Sequence, residues 1–501
     1  MPLDQSIVFD GGWRLLNGQV PFRDFTTPAG LVPITLQALF FRCFGVSWFV
    51  YCLHAAVFNG LFCVLAFRLL LRLEAGTAAA AFYALLSGVV FYPPFGVPYM
   101  DQHTFFFSLA AIVAVVEALT APRGPYRSVA LASIPWLLAL AYLSKQIPSV
   151  LVFPLALLLP MLLRSDDRRA ALRTVLVSTT LLAALLAGLV LAVDAAKLTE
   201  ALFTRPGLEG RGRMLALLDP EAFAGQAGEL VRAFRLWSLA PTILGATCFL
   251  LWRPQAEARP APLPFWLRPS LALYLLATCA AFVMATDNQG ENGIPFVFLA
   301  AGLAQAELPT RGRRNDRRAS FILAGVLTLS SAWDAVVFDQ RVNRTRMVHE
   351  LDGVERARPS EEAALPAGLE FLEWKLHPFY RFTPRDLGET VAFLRREGGP
   401  IYVFGDLTIL YALTGRPSAG ESLWLHPGLT LPEPGEPAFA AWESRLLDDL
   451  TRRRVRFFVR ESRQTYNGLR LSQLPKVAAF VEARRKRRIS FGPIDVIELG
   501  P

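Results

Sequence analysis

The chain has 501 residues, of which 53% are apolar and 19% charged, with a mean hydropathy of +0.36. Soluble domains carry about 25% charge, so this balance excludes a soluble enzyme, a disulfide-stapled secreted domain and a disordered chain. A formal charge of +9 raises nucleic-acid binding, but the basic residues fall mostly in short loops between apolar blocks, where membrane topology accounts for them. Cys43, Cys52, Cys63, Cys248 and Cys279 all sit in apolar stretches without a CxxC pair. They read as small core residues.

In chain order, residues 1–46 form a mixed segment with two amphipathic helices, 47–338 a membrane domain and 339–501 a globular tail. A spanning helix needs about 20 apolar residues. Ten stretches qualify: 47–70, 77–94, 103–120, 128–145, 148–163, 172–193, 234–252, 269–286, 293–308 and 319–338. Pro148 divides the fourth from the fifth and predicts a tight reversal there. Alternate loops carry Arg68 and Arg72, Arg123 and Arg127, Arg164 to Arg173, Arg253 to Arg268, and Arg311 to Arg318, and short basic loops stay cytoplasmic. Residues 1–46, the loops near 100, 146 and 290, the segment 194–233 and the tail 339–501 therefore face outward. Ten spans place Met1 outside with no signal peptide ahead of it, so a further N-terminal span is expected before Met1.

The tail alternates helices (386–396, 407–413, 438–454, 472–486) with strands (401–404, 455–459 and a pair within 489–499), the pattern of a small α/β domain. Gly405-Asp406, after a strand, is either a turn or a ligand contact at the sheet's carboxyl end. Arg484-Arg485-Lys486-Arg487-Arg488 is either a solvated helix face or a contact for lipid headgroups or a phosphorylated ligand.

Transporters and channels place ionisable residues near the bilayer midplane. Here the span centres are almost free of charge, and Glu117, Asp194 and Asp334 lie near span ends. Polar residues gather on the outer face: Asp4, Asp10, Asp24, Asp101, His103, Lys145, Gln146, Asp287, Asn288 and Glu291. That distribution predicts a site at the outer membrane boundary, fed from the lipid side.

The opening segment reads DQSIVFDGGWRLLNGQVPFRDFTTPAGLVPITLQALFFRCFGVS. It resembles the first outer loop of the GT-C superfamily of polyprenyl-phosphate-sugar-dependent glycosyltransferases, in the branch of protein O-mannosyltransferases and lipid A aminoarabinose transferases. Asp4-Gln5, Leu15-Leu16-Asn17-Gly18, Pro21-Phe22-Arg23-Asp24-Phe25 and Phe41-Arg42-Cys43-Phe44-Gly45 carry the likeness. The family has Asp-Glu, Leu-Leu-x-Gly, a Pro-Tyr-Arg-Asp-Phe-like stretch and Phe-Arg-Leu-Phe-Gly at those places. Tyr99-Met100-Asp101-Gln102 and Leu143-Ser144-Lys145-Gln146 continue it. Gln5 departs from an acidic position and Phe22 from a tyrosine.

The resemblance implies a polytopic α-helical membrane protein of the GT-C kind with a small extracytoplasmic α/β domain, in a bacterial-type plasma (inner) membrane. The implied reaction is inverting transfer of a sugar from a polyprenyl-phosphate donor to a lipid, glycan or protein hydroxyl, with no nucleic acid involved. Asp4 holds the family's catalytic position and is the candidate base, or else a helix N-cap. Asp101 is the second catalytic candidate, or a loop aspartate capping the span after it. Lys145 is a partner for the donor phosphate, or a snorkelling anchor. Arg205, Arg211 and Arg213 either clamp that phosphate or meet headgroups. His103, Gln5 and Asp24 are candidates to orient the acceptor, with Asp24 otherwise fixing the loop through Arg23 or a backbone cap. Asp4, Asp101 and His103 together offer ligands to Mg²⁺ or Mn²⁺, though no spacing demands a metal. A flippase of lipid-linked sugars and an inactive relative serving as an assembly subunit are the rival readings.

Overall fold

Nine of the ten apolar blocks form helices, and the tenth, 234–252, lies outside the described residues. The computed structural model describes residues 3–93, 96–163, 165–216, 267–286, 290–308, 314–340, 382–405, 407–428, 430–461 and 469–501, with short pieces at 219–221, 224–225, 355–356, 365–369, 372 and 374–376. Two helices precede the bundle, α1 (Leu3–Leu16) and α2 (Leu31–Phe44). The bundle follows with α3 (Trp48–Arg72), α4 (Thr77–Phe91), α5 (Met100–Thr120), α6 (Pro125–Ser144), α7 (Gln146–Leu162) and α8 (Ser165–Ala192). After α9 (Ala195–Thr199) and α10 (Arg205–Ala216), it resumes with α11 (Leu267–Thr286), α12 (Ile294–Ala306) and α13 (Arg314–Phe338). By length and composition, five of the described helices can cross a membrane, and five shorter apolar helices accompany them.

Helix α5 is the axis of the bundle. It is buried on every face, and Phe105, Leu109 and Ile112 meet the equally buried Phe296 to Leu299 of α12 in one core. Helices α8 and α13 keep a lipid-type apolar surface, with Leu185, Phe321 and Trp333 exposed. One end of the bundle is tied by ion pairs from its basic loops. Glu117 holds Arg68 and Arg72 at 2.8 Å each, Asp167 holds Arg127 at 2.9 Å, and Glu307 holds Arg268 at 3.0 Å.

At the opposite end sits the C-terminal α/β domain. Its helix α14 (Pro384–Glu397) starts at a capping box of Thr383 and Asp386 with proline in the first turn. After the two-residue strands β1 (Glu355–Arg356) and β2 (Lys375–Leu376), strands β3 (Ile401–Phe404), β4 (Phe457–Glu461), β5 (Arg485–Phe491) and β6 (Ile494–Leu499) form a sheet ordered β3-β4-β6-β5. β3 and β4 are parallel, joined through α15 (Leu410–Thr414) and α16 (Pro437–Arg452), whereas β5 and β6 form an antiparallel hairpin. Side chains alternate across β3. Tyr402 and Phe404 face a core with Trp442, Leu446, Val477 and Val481. Ile401 and Val403 face a second core, which continues into Phe9, Phe25, Trp48 and Tyr51 of the opening segment and α3. The tail thus shares its core with the first 51 residues.

Two expectations are corrected. The last helix, α17 (Pro475–Arg484), ends where the basic run begins, and Arg485 to Arg488 lie in edge strand β5. Arg487 meets Glu498 and Glu397 there, and Arg488 meets Asp495, so acidic neighbours on the sheet neutralise much of that run. Cys43, expected as a core residue, is exposed near the end of α2.

Candidate functional site

The site is built on the break between α6 and α7. Lys145 (φ −163°, ψ 142°) and Ile147 (φ −110°, ψ 131°) are both extended there, so the helix is broken over these residues, at the place Pro148 marked. Three elements hold the break. Gly30 N–H donates to Ser144 O at 2.7 Å, Gln146 Nε2 to Pro28 O at 2.8 Å, and Thr104 Oγ1 of α5 to Lys145 O at 3.0 Å. Gly30 has φ +83°, and a Cβ on it would stand 2.9 Å from Met100 Cγ, so this close approach requires glycine.

The break aims Lys145 at the first turn of α5. Its Nζ lies 2.5 Å from Asp101 Oδ1 and 5.9 Å from the Phe282 ring centroid. Asp101 is fully buried, whereas the Lys145 side chain keeps 22% exposure. Asn292, between α11 and α12, donates to Asp101 Oδ2 at 2.9 Å and accepts from Gln102 Nε2 at 3.0 Å. Cation, amide and helix N-terminus together make the buried carboxylate tolerable. An ammonium has three N–H groups, so one ion pair does not exhaust Lys145.

His103 lies elsewhere. Residues two apart on a helix do not face each other, and its ring turns away from Asp101 toward α3. Its Nε2 is 3.0 Å from His54 Nε2, and its Nδ1 is 2.7 Å from Tyr92 Oη and 3.0 Å from Tyr99 O. His54 Nδ1 in turn meets Gln37 Oε1 at 2.8 Å. His103 is thus fully buried and engaged at both nitrogens, in a cluster separate from the Lys145–Asp101 pair. Among the described residues no three His, Cys, Asp or Glu side chains converge in a metal-binding group.

The opening segment is arranged around a turn at 20–25. Val20 N–H donates to Asp24 Oδ2 at 2.7 Å, and Arg23 Nη2 pairs with the same oxygen at 2.9 Å. Burial tends to raise the Asp24 carboxyl, but those hydrogen bonds and the Arg23 charge outweigh it and hold the group below its ordinary value. Asp24 thus fixes the loop. Phe22 has φ +61°, a strained value for a bulky residue, and is buried against Leu198, Ala201 and Leu202. Asp4 and Gln5 occupy the first turn of α1, and their side chains lie outside the described set, as do those of Arg213 and Glu291. Asp287, Asn288 and Asp406 also lie outside the described residues. Arg205 is engaged by Glu200 at 2.9 Å, and Arg211 is exposed on α10.

The sequence reading missed Asn292, Gln37 and His54. His54 carried a usable signal, an ionisable residue inside an apolar span. Asn292 carried none beyond its place in the loop near 290.

No protein-family model matches the chain, and no curated protein does. Among solved structures, the crystal structure of ArnT from Cupriavidus metallidurans bound to undecaprenyl phosphate is similar over 100% of this chain and 95% of that one, with a TM-score of 0.52 and 10% identity. The apo state of the same protein matches with a TM-score of 0.41 and 12% identity. The undecaprenyl-phosphate-bound structure shows the fold. The chain thus has the fold of that structure, a polytopic bundle of apolar helices with a C-terminal α/β domain.

Proposed function

We propose that the protein is a membrane glycosyltransferase that moves a sugar from a polyprenyl-phosphate carrier to a lipid, glycan or protein hydroxyl on the outer face of a bacterial-type plasma membrane. The Lys145–Asp101 pair carries this reading: a part-exposed cation is fixed by a buried carboxylate at the break of two apolar helices, against the loop that follows α1. The fold is similar to that of a protein solved with undecaprenyl phosphate. In this reading the acceptor O–H gives its proton to Asp4 as its oxygen attacks the anomeric carbon. The bond from that carbon to the phosphate oxygen breaks, and the phosphate leaves with the electron pair. Lys145 offsets the developing charge, and Asp101 sets where its ammonium stands. Attack from the face opposite the leaving phosphate inverts the anomeric centre.

Membranes containing the protein, supplied with a labelled polyprenyl-phosphate sugar, test the proposal. Transfer by wild type and its loss in Asp4→Asn are expected. Movement of the intact sugar-lipid across the bilayer without transfer identifies a flippase instead, and neither activity with any donor identifies an inactive relative.

A further inference from the structure

Arg14 is buried to 1% exposure near the end of α1, ten residues after Asp4. Its guanidinium divides between two parts of the chain. Nε pairs with Asp10 at 2.9 Å within α1, Nη1 donates to Gly420 O at 2.8 Å, and Nη2 donates to Ser422 O at 3.3 Å. The Phe25 and Tyr411 rings lie 5.3 and 5.9 Å away. The loop it grips runs along the opening segment. Trp13 Nε1 donates to Arg416 O at 2.9 Å, Gln19 Nε2 to Ser418 O at 3.2 Å, and Thr26 N–H to Glu421 O at 2.9 Å. Near the other end of α1, Thr408 Oγ1 is 3.2 Å from Ser6 Oγ, two residues from Asp4. On the opposite side α1 lies tight against α2, where a Cβ on Gly11 or Gly12 would meet Ile34 or Gln37 within 2.8 Å.

We infer that the C-terminal domain positions the helix that bears Asp4, and that Arg14 is the residue through which it acts. The inference rests on the assignment of Asp4 as the base. A helix rises 1.5 Å per residue, so Arg14 stands about 15 Å from Asp4 and touches nothing that reacts. It acts by fixing the helix axis. Three separate nitrogens serve one carboxylate and two backbone carbonyls. A lysine has a single nitrogen and cannot reproduce that fork.

The test uses the full chain carrying Ser6→Cys and Thr408→Cys, with the reduced double variant as reference. Adding Arg14→Lys is expected to lower the yield of the disulfide between the two introduced thiols under mild oxidation, read by peptide mass spectrometry. It is also expected to lower kcat by about ten-fold or more, since a misplacement near 1 Å can cost about 10² in rate. Donor KM should stay within about two-fold, because Lys145 is untouched. Driving the disulfide to completion in the Arg14→Lys chain should restore kcat, which a general loss of stability does not allow. Unchanged disulfide yield with unchanged kcat overturns the inference, as does lost kcat that the closed disulfide fails to restore. If wild type transfers no sugar, the glycosyltransferase reading fails separately, and if Asp4→Asn transfers as wild type does, the assignment of Asp4 fails separately. The disulfide yield then still decides whether Arg14 docks the domain on α1: a fall supports docking, and no change overturns it.

Discussion

His54 and His103 meet ring to ring between α3 and α5, Nε2 to Nε2 at 3.0 Å, in a fully buried run from Gln37 to Tyr92. The tautomers of the two rings set the direction of the run: if Tyr92 O–H donates to His103 Nδ1, then His103 Nε2–H donates to His54 and His54 Nδ1–H to Gln37, whereas a proton on His103 Nδ1 shared with Tyr99 O reverses the bond between the rings. Gln37 packs on Gly12 of α1, so the run ties α1 and α2 to the first turns of α5.

The first prediction follows from that run. His103→Leu leaves His54 Nε2 and the Tyr92 hydroxyl without their partner, at about 1–3 kcal/mol for each orphaned group. Replacing His54 as well, by phenylalanine, should cost less than the two single losses added together. Thermal unfolding of the purified variants measures both. If the buried His103 serves only this run, a folded His103→Gln chain should keep the acceptor KM within about two-fold, and a larger rise would return it to an acceptor-orienting role.

Lys145 and Asp101 make a second thermodynamic cycle. Lys145→Met takes the cation from the buried Asp101 and leaves Asn292 and the helix N-terminus to hold it, a loss of at most about 3–5 kcal/mol, and adding Asp101→Asn should recover part of it. Transfer should not recover. Loss of a well-placed electrostatic donor costs on the order of 10²-fold in rate, and Lys145→Arg should restore little, since a planar fork replaces a compact ammonium between Asp101 and the Phe282 ring. Full transfer by a folded Lys145→Met chain would make the residue a helix anchor only.

What was legible in the sequence was set by local chemistry. Runs of apolar residues gave the bundle helices, Pro148 marked the break at Lys145, and Ile-Tyr-Val-Phe at 401–404 marked a strand buried on both faces. The basic run at 484–488 was misread as helical, because a charge run has the same appearance on an exposed strand and on a helix face. Contacts between distant parts of the chain left no trace. Asn292 reaches Asp101 across 191 residues, and Arg14 reaches Gly420 across 406. The second of these ends on a backbone carbonyl, which every residue type carries.

The third prediction concerns pH. Burial pushes the Asp10 carboxyl from 3.8 up to about 6, against the lowering charge and hydrogen bond of Arg14. Between those values the folded chain holds a proton that the unfolded chain has released. The contribution to stability is therefore fully present below about pH 4 and is lost as pH rises through about 6. A rise from 3.8 to about 6 corresponds to about 3 kcal/mol at most. Unfolding midpoints measured from pH 4 to 7 should fall more steeply for wild type than for Asp10→Asn. Parallel curves would show that Asp10 stays ionised against Arg14 throughout.

The last prediction separates backbone strain from placement of the site. Gly18 and Gly30 both have positive φ, +78° and +83°, and alanine in a left-handed conformation costs about 1–2 kcal/mol at either position. Their surroundings differ. A Cβ on Gly18 meets nothing within 4 Å, so Gly18→Ala should lower the unfolding midpoint and leave transfer kinetics unchanged. A Cβ on Gly30 meets Met100, the residue before Asp101, and the Gly30 N–H is one of the bonds holding the break before Lys145. Gly30→Ala should therefore cost similar stability and, in addition, slow transfer, because either Met100 shifts at the start of α5 or the loop draws away from Ser144. If Met100, a flexible side chain, absorbs the contact alone, the two variants will show equal kinetics. The loop at Gly30 would then not set the geometry around Lys145.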